Sequence, residues 1–490
     1  MGAPMSKLRV VVMCVLLTPL IQGCSPCEKG TLLLLLSYDG DPPNRILLTL
    51  EQQETSTRKN YALTPKKPED SVLVRFSEGY RQGAKFLVTV DGFDTQGTQV
   101  LRGTDEVTLA QNCTMCEVPI SQVQSLDFPI SHIPQHYLTD GTCDLSIPSA
   151  PSTHIFDTGT GQLDNSPLIP GCLYQAETNM NSNGESFFVI VLAVNQLIIP
   201  TGVTLQIRGP YPLAIVAKDV IQINGTLDGS ADLTLGGPGG RATGSGVGLA
   251  GLASTNSTDS GGAGGSYGSY GADAAPAVNG TSMASGGRGG VVYGDPSLLS
   301  SLEPGSSGGS GTAPNAIPAC GLSGGGGGAI QLTAGKMLQL GNNARIHVNG
   351  GGGLGGCLDS AQAAHGGGGG GSGGALFLES PIFSVVTSAI LTANGGGGGS
   401  GGSDNAIKQR GNDGQNGLSS ATIAPGGPAV LNSNSGAGGD GAAGTTIATT
   451  APSSVNTGGG GGGVGRIVLR TKTAPTTTPT MSPPANVVLY

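Results

Sequence analysis

The residues of this chain that could do chemistry are few and scattered. Lys218, Asp219, Asp228 and Asp232 form the nearest approach to an acid–base set. A polysaccharide lyase or glycoside hydrolase would need such groups to converge on one face. Asp is also an ordinary turn residue, so the set alone does not define a catalytic centre. His132 and His136 are four apart, a spacing that brings two imidazoles together only on a helix, and Pro134 between them argues against one. His154 stands apart. Cys113-Thr-Met-Cys116 is a CxxC with no second CxxC and no suitably spaced His pair, which points to a structural role rather than zinc or redox chemistry. Asp39 and Asp41 belong to Asp-Gly and Asp-Pro turns. Asp404, Asp413 and Asp440 are isolated, outside the repeated nonapeptides of a calcium-binding β-roll. No Gly-Lys-Ser/Thr occurs. Gly-x-Gly-x-x-Gly matches carry no weight in a chain with 88 Gly among 490 residues. No catalytic residue, cofactor or metal ligand is therefore expected.

The N-terminus carries a different kind of signal. Lys7 and Arg9 precede an apolar run from Val10 to Ile21, too short to span a bilayer and laid out as an export signal. The run closes on Ile21-Gln22-Gly23-Cys24, which resembles a bacterial lipobox. That resemblance implies removal of residues 1–23 and lipidation of Cys24, with stable anchoring by several acyl chains. The competing reading is a plain signal peptide, with Cys24 in a disulfide. Cysteine parity favours that competitor: once Cys14 leaves with the signal, lipidation of Cys24 strands one thiol among Cys27, Cys113, Cys116, Cys143, Cys172, Cys320 and Cys357. Plausible bridges join Cys27 to Cys113 or Cys116, Cys143 to Cys172, and Cys320 to Cys357, although spacing does not fix connectivity.

Composition limits what else the chain can be. Only 11% of residues are charged and 4% aromatic, Trp is absent, and the net charge is −9 with no basic stripe. Nucleic acid is not an expected partner. At 37% hydrophobic residues, the chain can bury a core, mostly a thin aliphatic one.

The elements expected to carry these residues are all β. Residues 24–120 contain the short Val-, Leu- and Thr-rich runs Thr31–Tyr38, Arg45–Gln52, Ser71–Phe76, Lys85–Phe93, Thr98–Gly103, Glu106–Ala110 and Cys116–Ile120. Turn sequences such as DGDPPN and PKKPED separate them, as in an immunoglobulin-like sandwich. Residues 121–184 read as a connector. From Glu185, apolar clusters recur every few residues between Gly, Pro, Asn or Asp: Phe187–Leu192, Leu197–Ile199, Val203–Ile207, Leu213–Val216 and Val220–Ile223. That density suits the coils of a right-handed parallel β-helix over 185–470. Residues 471–490 form a Thr/Pro-rich tail that ends in a strand-like NVVLY.

Blocks of this second region align with one another. They begin at Leu213, Ala329, Ala375 and Arg466, so the repeat length is not fixed. Asn-Gly follows the strands at Asn224, Asn349 and Asn394, and Gly tracts run straight into the later blocks. Gly411, Gly414 and Gly417, and again Gly438, Gly441 and Gly444, recur every third residue. That is the period of an extended polyproline-like helix, in which Gly lets chains pack side by side. The alternative is a set of flexible Gly/Ser surface loops, which remains open for the stretch GSGVGLAGLASTNSTDS.

With the lipobox at Cys24, GGGGGGSGGALFLES and GGGGGGVGRIVLRT, the chain resembles the Gly-rich lipoproteins of myxobacteria and related Gram-negative bacteria. The resemblance covers nearly the whole chain and implies a surface location and a β-helix-like fold, with no catalytic residues to carry over. The expected function is that of a lipid-anchored protein of the outer membrane or cell surface. Its role would be structural, adhesive or matrix-binding, with extracellular polysaccharide or other surface proteins as partners. The alternative is a polysaccharide lyase or glycoside hydrolase on the same scaffold, which rests on fold analogy alone. Sequons at Asn224, Asn256 and Asn279 matter only in a eukaryotic secretory route.

Overall fold

The computed structural model describes residues 31–37, 45–52, 57–63, 69–75, 83–93, 99–109, 114–116, 120–122 and 130–490, apart from 183, 243, 253–258, 313–320, 359–362, 406–407 and 476. The leader, Cys14, Cys24, Cys27, Asp39, Asp41, Cys113 and Cys320 lie outside the described residues. Of Cys116 only the backbone is described. The chain is nearly all β and divides into two compact units, residues 1–129 with 134–136, and residues 130–133 with 137–490.

The first unit holds two sheets. In one, Thr31–Ser37 pairs antiparallel with Glu69–Arg75 and parallel with Thr114–Cys116. The other runs, in spatial order, Thr57–Leu63, Arg45–Gln52, Lys85–Phe93, Gln99–Thr108 and Ile120–Gln122, all antiparallel. Ile46, Leu48 and Leu50 are buried on alternate positions, as are Phe86, Val88 and Val90. This is the period-two pattern of a sheet with one face in a core. Two expectations change here. Thr57–Leu63 (TRKNYAL) is a strand despite its polarity, and the runs at 98–103 and 106–110 are one strand, Gln99–Thr108.

The second unit winds through three sheets in turn. The first sheet stacks Ser186–Val194, Leu213–Ala217, Ala329–Ala334, Ala375–Glu379, Arg466–Thr471 and Asn486–Leu489. The second stacks Asp144–Ser146, Gln196–Ile199, Val220–Ile223, Met337–Leu340 and Phe383–Val385. The third stacks Thr153–Asp157, Thr204–Arg208, Thr226–Asp228, Arg345–His347, Ile390–Thr392 and Thr480–Ser482. All these neighbours are parallel. The winding thus takes in strands from Asp144 onward, within the stretch expected to be a connector, and it reaches into the tail.

Register explains the aligned blocks. Leu213, Ile330, Leu376 and Ile467 stand one above another in the first sheet. Leu197, Ile221 and Leu338 do so in the second, and Leu205, Leu227, Ile346 and Leu391 in the third. All of these side chains belong to one buried cluster. Each aliphatic side chain fully removed from water contributes about 1.5–3 kcal/mol, so a thin stack of Leu, Ile and Val can hold the winding together. Cys143 and Cys172 are joined by a disulfide near its start, and Cys357 is also disulfide-bonded.

The three Gly-rich excursions leave at one corner, after Asp228, His347 and Thr392, and return at Ala329, Ala375 and Arg466. Polar side chains stack at that corner. Asn349 N–H donates to Ser230 Oγ at 3.0 Å, Asn394 N–H donates to Asn349 Oδ1 at 2.8 Å, and Ser482 Oγ donates to Asn394 Oδ1 at 2.6 Å. The recurrent Asn-Gly at 349 and 394 is therefore a stacked ladder in which a buried amide accepts from the winding above.

The Gly tracts are packed. Along 366–374, successive N–H groups turn to three different neighbours with a period of three. Gly367, Gly370 and Gly373 donate to the carbonyls of Thr457, Gly460 and Gly463; Gly368, Gly371 and Gly374 donate to those of Leu354, Gly351 and Val348; Gly369 and Ser372 donate to those of Gly309 and Ser306. The Cα side of the same residues faces three more segments. A Cβ on Gly367, Gly370 or Gly373 would lie 2.0–2.1 Å from the carbonyl oxygens of Gly399, Gly396 and Ala393. One on Gly368, Gly371 or Gly374 would lie 1.9–2.0 Å from those of Leu322, Gly325 and Gly328, and one on Gly366 or Gly369 would lie 2.1 or 1.9 Å from those of Ser260 and Ala263. The tract is therefore a threefold extended helix with neighbours on all sides, bonded outward because such a helix has no internal hydrogen bonds. Gly is required for close approach, with Cα–H groups directed at carbonyls.

The same arrangement repeats. Gly395, Gly398 and Gly401 donate to Ala442, Gly439 and Gly436, while Gly396, Gly399 and Gly402 donate back to Gly371, Gly368 and His365. Of the two motifs expected to be threefold, the first behaves so: Gly411, Gly414 and Gly417 donate to Gly356, Gly353 and Gly350. The second does so only in part: Gly438 and Gly441 donate to Gly427 and Ala424, whereas Gly444, at φ +59°, turns out of the helix and donates to Ser482 Oγ. All three excursions thus interlock into one backbone-bonded body.

Candidate functional site

The sequence-derived acid–base set does not converge. Asp219 sits in the turn between the first and second sheets and pairs with Lys336, one winding on, at 2.7 Å. Asp228 ends a third-sheet strand, accepts from Ser230 N–H at 3.0 Å and has Arg208 4.0 Å away. Asp232 accepts from Asn416 Nδ2 at 3.3 Å, within the first excursion's opening turn. Lys218 is exposed in the turn beside Asp219. Each carboxylate completes a local contact.

The other singled-out residues are likewise placed apart. His132 Nδ1 lies 2.8 Å from Gln331 Oε1, and its ring meets Phe377 edge-on at 5.1 Å. His154 is buried between Asp164, at 2.5 Å, and the Pro148 carbonyl, at 2.9 Å. His136 belongs to the first compact unit. Asp404 accepts from Asn434 Nδ2 at 2.6 Å, Asp413 from Gly355 N–H at 2.8 Å, and Asp440 from Gly426 N–H at 2.9 Å. The last two satisfy amides that the Gly body leaves over. Among the described residues, no group of three or more His, Cys, Asp or Glu is gathered to hold a metal ion. His347, buried on the third sheet with its Nδ1 2.9 Å from Thr392 Oγ1, is lowered to about 4 by burial, with Asp228 opposing.

The side chains that do converge were not singled out from sequence. The Leu173–Met180/Ser186–Val194 hairpin, the turn Pro210-Tyr211-Pro212 and the first excursion enclose a cleft of about 340 Å³. The hairpin supplies Phe187 and Phe188, the turn Tyr211, and the excursion Arg241, Tyr293 and Glu303. Phe188 is 51% exposed and stands edge-to-face on Tyr211, with centroids 6.1 Å apart and planes at 89°. Opposite them, the Arg241 guanidinium lies 5.7 Å over the Tyr293 ring. The Tyr293 hydroxyl donates to the Pro304 carbonyl at 2.7 Å, and burial pushes its pKa far up. Glu303 is 5% exposed; its Oε1 accepts from Ser182 N–H and Ser301 Oγ, both at 2.8 Å. The arrangement offers flat apolar faces, one fixed acceptor and one planar donor. The available sequence signal was local: three aromatics between 187 and 211 in a chain with nine Phe, ten Tyr and no Trp.

Comparison of the chain with family models, with curated proteins and with solved structures returned no match.

Proposed function

We propose that the protein is exported, lipid-anchored at Cys24 on the outer membrane or cell surface, and acts there as a structural, adhesive or matrix-binding protein without catalysis. Its second unit is read as a right-handed parallel β-helix and its first as an immunoglobulin-like sandwich, in keeping with the resemblance to Gly-rich bacterial surface lipoproteins. The observation that carries the non-catalytic reading is the dispersal of Asp219, Asp228 and Asp232, each engaged locally rather than facing a shared substrate. The interlocked Gly body adds support. It is built from backbone and holds almost no reactive side chain, as suits a rigid extension. Its turns bear exposed apolar side chains such as Leu431, at 83%, and Ile447, at 74%. Among the described residues, no helix is long and apolar enough to cross a membrane, and the anchor in this reading is the lipid.

The anchor is tested by mass spectrometry of the mature protein expressed in a Gram-negative host. The expected N-terminal residue is Cys24 carrying acyl chains. An unmodified Cys24, free or in a disulfide, removes the lipoprotein reading.

A further inference from the structure

We propose that the cleft between Phe188 and Tyr293 is a saccharide subsite that takes one neutral sugar ring of an extracellular polysaccharide. This rests on the surface-binding reading above and names the chemistry that would serve it. Phe188 and Tyr211 meet at a right angle, so their rings form an L-shaped apolar wall, and Phe188 is half exposed. A pyranose presents an apolar C–H face that can cover such a wall, while its rim carries hydroxyls.

The polar groups decide between a sugar and other ligands that stack on aromatics. An ionised carboxylate only accepts hydrogen bonds and a guanidinium only donates them. Beyond the Ser182 and Ser301 donors on Oε1, Glu303 can therefore take only a further donor, which a proline-rich peptide, poor in N–H groups, supplies badly. Arg241 donates from Nη1 to the Ser245 carbonyl at 3.1 Å, and its further N–H groups can take an acceptor. Hydroxyls are both, so a polyol ring can satisfy the two with one kind of group. Opposite charges within the same lining also disfavour a strongly acidic or a strongly basic ligand.

The Glu303 side of the cleft is built rather than incidental. Arg466 is 8% exposed, lies 4.5 Å over the Tyr267 ring, and its Nη2 donates to the Tyr267 carbonyl at 3.3 Å. Among the described residues, its Nη1 and the Tyr267 hydroxyl are buried and make no hydrogen bond within 3.5 Å. Gly294, at φ +75°, leaves the space between these groups: a Cβ there would be 2.8 Å from Arg466 Nη1 and 3.4 Å from Glu303 Oε1. A buried guanidinium thus stands behind the carboxylate that faces the cleft. Among the described residues, neither Glu303 nor Arg466 forms an ion pair, so the carboxylate's charge is not neutralised by a direct partner there.

The test is isothermal titration calorimetry of the full chain with cellohexaose, maltohexaose and mannohexaose, with hexagalacturonate and a decaproline peptide alongside. At least one neutral hexaose is expected to bind. Phe188→Ala and Glu303→Gln should each weaken that binding about tenfold or more, with melting temperature retained. Tyr270→Ala, at a position 68% exposed and outside the cleft lining, should leave it unchanged. Absence of binding by every neutral hexaose at about 1 mM, the weak end of the affinity scale, overturns the proposal. So does binding that survives both cleft substitutions, or binding of hexagalacturonate or decaproline alone. A hexaose that binds in the cleft and is cleaved upholds the subsite and sinks the non-catalytic reading. The state of Cys24 bears on neither result.

Discussion

Gly371→Ala is expected to destabilise the second unit by about 3 kcal/mol, the upper end of overpacking effects. The new Cβ would sit 1.9 Å from the Gly325 carbonyl oxygen and 2.6 Å from its carbon. Neither can move alone, because Gly325 donates to the Leu233 carbonyl, Gly351 donates to Gly325, and Gly371 itself donates to Gly351 at 2.8 Å. Relief requires one threefold helix to separate from its neighbours, at the cost of several backbone hydrogen bonds. Gly280→Ala is the reference. Gly280 has φ +60° and open space around it, so only backbone strain of about 1 kcal/mol is expected there. The sign at 371 carries the information. In a flexible linker, Gly→Ala stabilises by about 0.4–1 kcal/mol, because it restricts the unfolded chain. Urea denaturation of the two variants beside the parent protein separates these outcomes.

Glu379→Ala is expected to cost about 3–5 kcal/mol, the range for breaking a buried ion pair from one side. The Glu379 side chain is fully buried on the outer face of the first sheet and is paired with Arg470, itself 12% exposed. It also accepts from Ser131 N–H at 3.2 Å, Ser131 Oγ at 3.0 Å and Thr333 Oγ1 at 3.0 Å. Gln331 Nε2 closes the network on the Ser131 carbonyl at 3.0 Å. Removing the carboxylate takes the Glu379 charge away from the largely buried Arg470 guanidinium and the acceptor away from several donors together. Lys336→Ala breaks the Asp219 pair, where the lysine is 70% exposed, and should cost about 1 kcal/mol at most. A pH signature accompanies the buried pair. Burial raises the Glu379 carboxyl above its ordinary 4.5, against the pull of Arg470. The native chain then keeps a proton that the unfolded chain has released. The contribution of this group to stability is present below pH 4.5 and is lost as pH rises through the raised value. Glu379→Gln should remove that slope in thermal melts across the window. An unchanged slope means that another group sets it.

The network also shows where sequence reading stops. Ser131 and His132 lie in the stretch expected to be a connector, yet this segment meets Gln331 and Glu379 some two hundred residues on. Residues so far apart share no local period that could reveal the contact. The aliphatic stack was legible because Leu213, Ile330, Leu376 and Ile467 repeat the same local phase, and parallel strands keep that phase in space. The threefold path of Gly411, Gly414 and Gly417 was legible for the same reason. Which tract lies beside which was not, since a Gly has no side chain to mark its neighbour: Gly262 donates to Gly367 and Gly463 to Gly265. Thr57–Leu63 was missed because a strand of polar residues is fixed by its ladder to Arg45–Gln52 rather than by an apolar alternation of its own. The cleft was missed because its three contributing segments look unrelated along the chain. The tracts themselves present the sharpest contrast between appearance and structure, since the composition of a flexible linker is used for close packing.

Hydrogen exchange resolved along 366–374 tests that packing most directly. The structure gives each amide from Gly367 to Gly374 a backbone acceptor at 2.7–3.0 Å. The account predicts protection as strong as in the neighbouring strand Ala375–Glu379, lost together with it in a single cooperative opening. Exchange of the tract at unprotected rates, while the strand stays protected, would contradict it.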